Sequence, residues 1–306
     1  MIITAAGILL SILLFFVILI AFYSDMPREE LEKKYAPLPS KFVEIDGTRV
    51  HYRDEGRGPA LVLLHGVFSS LHTWDGWIKQ LSGKYRFIRL DLPGWGLTGK
   101  ADFEYNMEQY MNFLRDFFMR LGLKEVYLAG NSFGGQLAWN YAVRHPGQVR
   151  KLILIDALGY PLKDPIAIKL YTTPVIGYFT ARITPKFIVA MNVREVYGDP
   201  DKAAQDAVDR YYEMMFYPGN RKQTKEIFLF LIKEFSTGYH NIIKVAVPTL
   251  IMWGAKDSWV PLELGNRFKS DIKNARLIVY KDAGHIPMEE LPVETTRDAD
   301  LFLKAN

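Results

Sequence analysis

Apolar and polar positions divide the chain into three unequal parts. Residues 2–23, IITAAGILLSILLFFVILIAFY, carry no charge, and only Thr4, Gly7 and Ser11 depart from an apolar or aromatic character. As a helix rising about 1.5 Å per residue, this run would span roughly 33 Å, which matches a bilayer core. Nothing basic precedes it except the terminal amine, and Ala21-Phe22-Tyr23 is a poor cleavage site. The pattern therefore predicts a retained single-pass transmembrane anchor over residues 1–23 rather than a cleaved signal. In residues 24–40, Ser24, Asp25 and Pro27 come first, then Glu29 and Glu30, then Lys33 and Lys34. That is the order of helix start and stop signals, and it predicts a juxtamembrane helix capped by Ser24 or Asp25 and ended by Pro37 and Pro39.

The remainder alternates strand and helix signals. Residues 42–53 form two alternating runs around Asp46-Gly47, a hairpin signature. Short apolar runs at 60–65, 85–91, 126–130, 149–156, 247–253 and 275–280 suit buried strands. Met107, Tyr110, Met111, Leu114, Phe117, Phe118 and Leu121 recur at the three-and-four spacing of an amphipathic helix, and a last helix is expected over about 293–304. This order predicts an α/β fold with a doubly wound, mostly parallel sheet, its core made of residues 41–159 and 247–306. Residues 160–246 break the alternation and are too long for a loop, so they are expected to form an inserted helical lid.

Composition narrows the chemistry. There is no cysteine in 306 residues, which excludes disulfides, a thiol nucleophile and cysteine-ligated metal. A net charge of +4 from 38 basic and 34 acidic residues is too balanced for a nucleic-acid surface. Most of that excess lies in the lid, with twelve basic against nine acidic residues.

The strongest chemical signal is Gly130-Asn131-Ser132-Phe133-Gly134, between a strand and a helical stretch. A sharp turn there exposes the Ser132 hydroxyl and leaves no room for side chains at the flanking glycines. A serine needs a base to become a nucleophile. Of six histidines, His285 is favoured because it sits in a loop just after a strand; His65 ends a strand where it would shape a loop, and His145 and His240 are expected to be structural or on the surface. The orienting carboxylate is Asp257, with Asp156 as its rival; Asp257 lies on a loop and keeps the order Ser, Asp, His. Backbone N–H groups of Phe133 and Val67 would hold the oxyanion, and no metal or organic cofactor is needed.

His65-Gly66, Asp91-Leu92-Pro93-Gly94-Trp95-Gly96, the Ser132 turn, Gly254 to Asp257 and Gly284-His285 together resemble the α/β-hydrolase superfamily over residues 41–306. Haloalkane dehalogenases and soluble epoxide hydrolases carry aspartate where Ser132 stands. Carbon–carbon hydrolases share Gly-Asn-Ser-Phe-Gly-Gly, but their glycine-rich oxyanion loop differs from His65-Gly66-Val67-Phe68-Ser69-Ser70 here. With its anchor the chain is similar to membrane-anchored monoacylglycerol lipases and a bacterial membrane-bound phospholipase A. The resemblance implies a serine carboxylic-ester hydrolase acting on membrane glycerolipids. It also implies a homodimer in the bacterial inner membrane with a periplasmic body, the anchor and juxtamembrane helix supplying the contact. Gly7 and Ser11 form one small-xxx-small pair compatible with such packing. Arg28, Lys33, Lys34 and Lys41 argue instead for a cytoplasmic body. The rival functions are a tethered small-molecule esterase or carbon–carbon hydrolase, and a catalytically silent binding protein.

Overall fold

The computed structural model describes residues 7–16, 24–162, 166–180, 182–237 and 239–305. Residues 7–16 are helical. Among the described residues no helix is long and apolar enough to cross a membrane. The remaining residues of the expected anchor, 1–6 and 17–23, lie outside the described ones.

Among the described residues eight strands form one sheet in the order β1-β2-β4-β3-β5-β6-β7-β8. The hairpin signal yields β1 (Lys41–Ile45) and β2 (Thr48–Gly56), paired antiparallel around Asp46-Gly47. β2 also runs antiparallel to β4 (Arg86–Leu90). β3 (Ala60–Leu64), β5 (Val126–Asn131), β6 (Val149–Ile155), β7 (Thr249–Gly254) and β8 (Ala275–Tyr280) continue it in parallel. The inner strands carry continuous buried apolar runs, residues 61–64, 152–155 and 250–253, because both faces of the sheet are covered there. One layer contains Trp139 of the helix Phe133–Arg144 and Phe117 and Phe118 of Met107–Arg120; the other contains Trp77 of Asp75–Leu81 and Phe302 of Pro292–Lys304.

We number the helices α1 (Arg28–Tyr35), α2 (Asp75–Leu81), α3 (Met107–Arg120) and α4 (Phe133–Arg144) in the first part of the chain. Between β6 and β7 come α5 (Ile166–Thr172), α6 (Pro174–Thr180), α7 (Lys186–Val196), α8 (Gln205–Met215) and α9 (Asn220–Thr237). These stand over the carboxyl ends of the parallel strands, where Phe228 and Tyr171 meet Phe68 of the loop after β3. α10 (Leu262–Asp271), α11 (Pro287–Glu290) and α12 (Pro292–Lys304) complete the chain.

The expected cap of the juxtamembrane helix is corrected. Pro27 precedes α1 and no side chain caps it. Asp25 instead pairs with Arg221 at 2.7 Å and accepts the Gly219 N–H at 3.1 Å. The buried Arg221 takes the carboxylate because both partners of that pair are charged, whereas in a cap only the acceptor would be. Lys34 and Tyr35 bind Glu213, and Arg49 binds Glu32, so α1 bridges the inserted helices and the hairpin.

Candidate active site

The loops that follow β3, β5, β6, β7 and β8 converge at one end of the sheet. At the end of β5 the chain turns sharply and Ser132 adopts φ +53°, in the left-handed region. The turn needs its glycines. A Cβ on Gly134 would lie 2.3 Å from the Leu64 carbonyl oxygen, and one on Gly130 would lie 2.2 Å from that of Gly134. Close packing of α4 on β3 is what requires the motif. Phe133 opens α4, so its N–H is among the first-turn amides that lack an intrahelical partner.

The loop after β3 is shaped by His65, as its position suggested. Its Nδ1–H donates to the Gly66 carbonyl at 2.7 Å and its Nε2 accepts the Leu92 N–H at 2.9 Å. Burial holds the ring below the usual histidine range, which keeps it neutral. Asp91 secures the neighbouring loops by accepting from His51 and from the Leu71 and Leu97 amides, each at 2.7 Å. Burial alone would raise this carboxyl, but the charge and hydrogen bond of His51 hold it well below the usual range. Val67 then faces Ser132 across a small cavity, and Phe68 takes φ +59° to turn its ring onto Trp95 and Phe228.

Between the two candidate carboxylates the geometry discriminates clearly. Asp257 Oδ2 lies 2.7 Å from His285 Nδ1, and its Oδ1 accepts the amides of Trp259 and Val260 at 2.8 and 2.9 Å. Nδ1–H therefore donates to Asp257, leaving Nε2 as the basic ring nitrogen. The Trp259 ring stacks on His285 at 6.0 Å between centroids. Asp156 sits beside Asp257 with φ +44° and accepts the Gly254 N–H at 2.9 Å. Complete burial and then the neighbouring Asp257 charge raise its pKa well above the usual carboxylate range, so it holds a proton.

Asp156, Asp257 and His285 each offer an atom within 4.8 Å of the others, a spacing a cation could use. The Nδ1–Oδ2 distance is that of a charge-assisted hydrogen bond, and backbone amides occupy other carboxylate oxygens. The donor set thus fits a proton-holding array better than a metal cage.

Other residues that support the site carried no role in the sequence. Asn131 Nδ2 donates to the His285 carbonyl at 2.9 Å, tying the serine turn to the histidine loop. Glu290 accepts the Gly284 and Gly198 amides at 2.7 and 2.8 Å, fixing that loop to the end of α7. Glu289 gathers Tyr197, Arg210 and Tyr211 from the inserted helices. Acidic residues near His285 were the available signal, but adjacent glutamates are common on exposed helices.

Ser132 and His285 border two cavities. The larger, about 150 Å³, is walled by apolar side chains of α5, α7 and α8, among them Leu170, Ile188, Val189, Val193 and Met215. The smaller, about 20 Å³, lies on the side of Leu158, Phe228, Leu231 and Phe235. Val67 and Trp259 border both. The larger cavity can hold an apolar chain beside the serine hydroxyl while a histidine paired with a carboxylate takes its proton; the smaller has room for about one water.

The chain belongs to the alpha/beta hydrolase fold family, which matches residues 59–292. It is 29% identical over 276 residues to the uncharacterized hydrolase YugF of Bacillus subtilis, covering 87% of this chain and 98% of that one. It is 27% identical to the 2-hydroxy-6-oxo-6-(2'-aminophenyl)hexa-2,4-dienoic acid hydrolase of Metapseudomonas resinovorans, covering 89% and 93% of the two chains. Among solved structures, a membrane phospholipase A described as a bacterial virulence factor superposes with TM-score 0.69 at 24% identity, over 98% of this chain and 97% of its own.

Proposed function

We propose that this α/β-hydrolase is a membrane-anchored serine hydrolase that cleaves carboxylic esters of glycerolipids, as a phospholipase A or acylglycerol lipase. The observation that carries this reading is the meeting of Ser132 and the Asp257-paired His285 on the wall of an apolar cavity. Ser132 Oγ attacks the acyl carbonyl while His285 Nε2 takes its proton. The amides of Val67 and Phe133 hold the oxyanion. Collapse breaks the ester bond, and the leaving alkoxide takes the proton from His285. Water, deprotonated by the same nitrogen, attacks the acyl-serine, and the fatty acid leaves with Ser132 restored. The helices inserted between β6 and β7 act as the lid, whose apolar wall matches an acyl chain.

The apolar run 2–23 supports an anchor that keeps this cavity beside its lipid substrates. A body on the periplasmic side of a bacterial inner membrane rests on the resemblance to membrane-bound phospholipase A alone, against the cations Arg28, Lys33, Lys34 and Lys41, and protease accessibility in spheroplasts tests it. A homodimer through the anchor and α1 belongs to the same reading, and crosslinking with and without residues 1–23 tests it. Full-length protein in detergent is assayed on p-nitrophenyl esters, monoacylglycerol and phospholipid, with Ser132→Ala alongside. Fatty acid release that vanishes in the variant is the expected result. Release from no lipid would overturn the lipid reading. A second reading, a carbon–carbon hydrolase, is favoured by the relative from Metapseudomonas resinovorans; cleavage of a ring-fission dienoate but of no ester would establish it.

A further inference from the structure

A surface helix of a globular body normally buries one apolar stripe and shows water a polar face. α7 does not follow this pattern. It buries Val189 and Val193, yet Phe187, Ile188 and Met191 on its other side remain 42–66% exposed. Leu170 of α5 and Val175 and Tyr178 of α6 are likewise exposed, which makes these three helices an apolar surface of the kind that marks interaction sites. Leu170 and Ile188 also line the larger cavity, so this surface adjoins the cavity that reaches the serine.

Two further observations identify what covers it. The first is charge. Over the described residues of 166–196 the cations are Lys169, Arg182, Lys186 and Arg194, and the single anion is Glu195. Lys186 is paired with Asp209 of α8, which leaves a basic excess around the apolar side chains. The second is where the hydrophobic N-terminal run ends. Two residues past Tyr23, Asp25 is pinned to Arg221, and the Met26 N–H donates to the Phe216 carbonyl at 2.9 Å. Arg221 Nη1 in turn donates to the Arg182 carbonyl at 2.9 Å, in the connection between α6 and α7. The point at which the run joins the body is thus one side chain away from the apolar helices.

We propose that the outer face of α5, α6 and α7 docks on an anionic lipid bilayer, with the cavity entrance opening onto the lipid. Apolar side chains entering the acyl boundary beneath a basic rim are how interfacial helices bind such surfaces. The proposal rests on the lipid-ester reading for its purpose but on its own observations for its geometry.

Because the chain has no cysteine, single cysteines report position directly. Full-length protein carrying an environment-sensitive fluorophore at Phe187→Cys or Met191→Cys is reconstituted into vesicles with and without phosphatidylglycerol. Met119→Cys, exposed on α3, is the control. The expected result is quenching by doxyl-labelled lipid at positions 187 and 191 but not at 119, and stronger in anionic vesicles. Phe187→Asp with Met191→Asp should lower hydrolysis of vesicle lipid about tenfold while leaving a soluble short-chain ester unaffected. Labels that stay in water while vesicle lipid is hydrolysed would overturn the docking and leave the lipid-ester reading standing. Shielding of both labels in detergent at high protein concentration, without lipid quenching, would assign the face to a second copy of the chain and also overturn it. Quenching with no lipid hydrolysed would uphold the docking and remove the substrate reading.

Discussion

Replacing Asp156 by asparagine should make the protein more stable above pH 5. Asp156 is fully buried, and burial together with the neighbouring Asp257 keeps it protonated in the fold. The unfolded chain releases that proton near the ordinary aspartate value of 3.8. At any pH between that value and the folded one, the unfolded state binds fewer protons, so stability falls as pH rises. The contribution is complete below the unfolded value and is lost on the way up to the folded one. Each pH unit in that window costs about 1.4 kcal/mol. Asparagine removes the titration and keeps the structure. Its carbonyl can accept the Gly254 N–H, its amide takes the place of the buried Oδ2 that has no hydrogen-bond partner among the described residues, and it tolerates the left-handed backbone at this position. Urea unfolding of the full chain in detergent at pH 5 and pH 6 should show a wild-type loss that the variant lacks, the gap widening by about 1.4 kcal/mol. Ester hydrolysis should persist. An identical pH slope in the two proteins would mean that Asp156 is ionised in the fold, and the argument would fail.

Ser132→Ala should abolish hydrolysis of p-nitrophenyl esters without lowering the unfolding midpoint; residual activity at the wild-type level would remove Ser132 from the mechanism. Glu290→Gln sets an amide donor against one of the Gly284 or Gly198 N–H groups, so the histidine loop should loosen and kcat fall about tenfold, read by steady-state kinetics. Gly254→Ala would place a Cβ 1.9 Å from the Gly284 carbonyl oxygen, between β7 and the histidine loop. Neither backbone can yield easily, and a loss of more than about 3 kcal/mol in urea unfolding is expected together with loss of activity.

Much of this was legible along the chain. Strand positions followed from short apolar runs because a parallel sheet covered on both faces leaves no polar alternation to read. The Asp46-Gly47 hairpin and the helix Met107–Arg120 followed from turn chemistry and three-and-four spacing. Ser132, His285, Asp257, Val67 and Phe133 could be named as candidates because each follows the carboxyl end of a strand within a few residues, and a parallel sheet brings those ends to one edge. The cap expected of Ser24 or Asp25 misled, since its competitor Arg221 lies nearly two hundred positions away.

The sequence by itself determined the alternation of elements, the serine turn and the small set of residues able to carry its chemistry, since these depend on neighbours a few positions apart. The tertiary structure decided which of two carboxylates faces His285, which one keeps a proton beside it, and which helix faces remain apolar toward solvent. Such facts depend on strand order and on what each side chain displaces from water, and both exist only once distant segments have packed together.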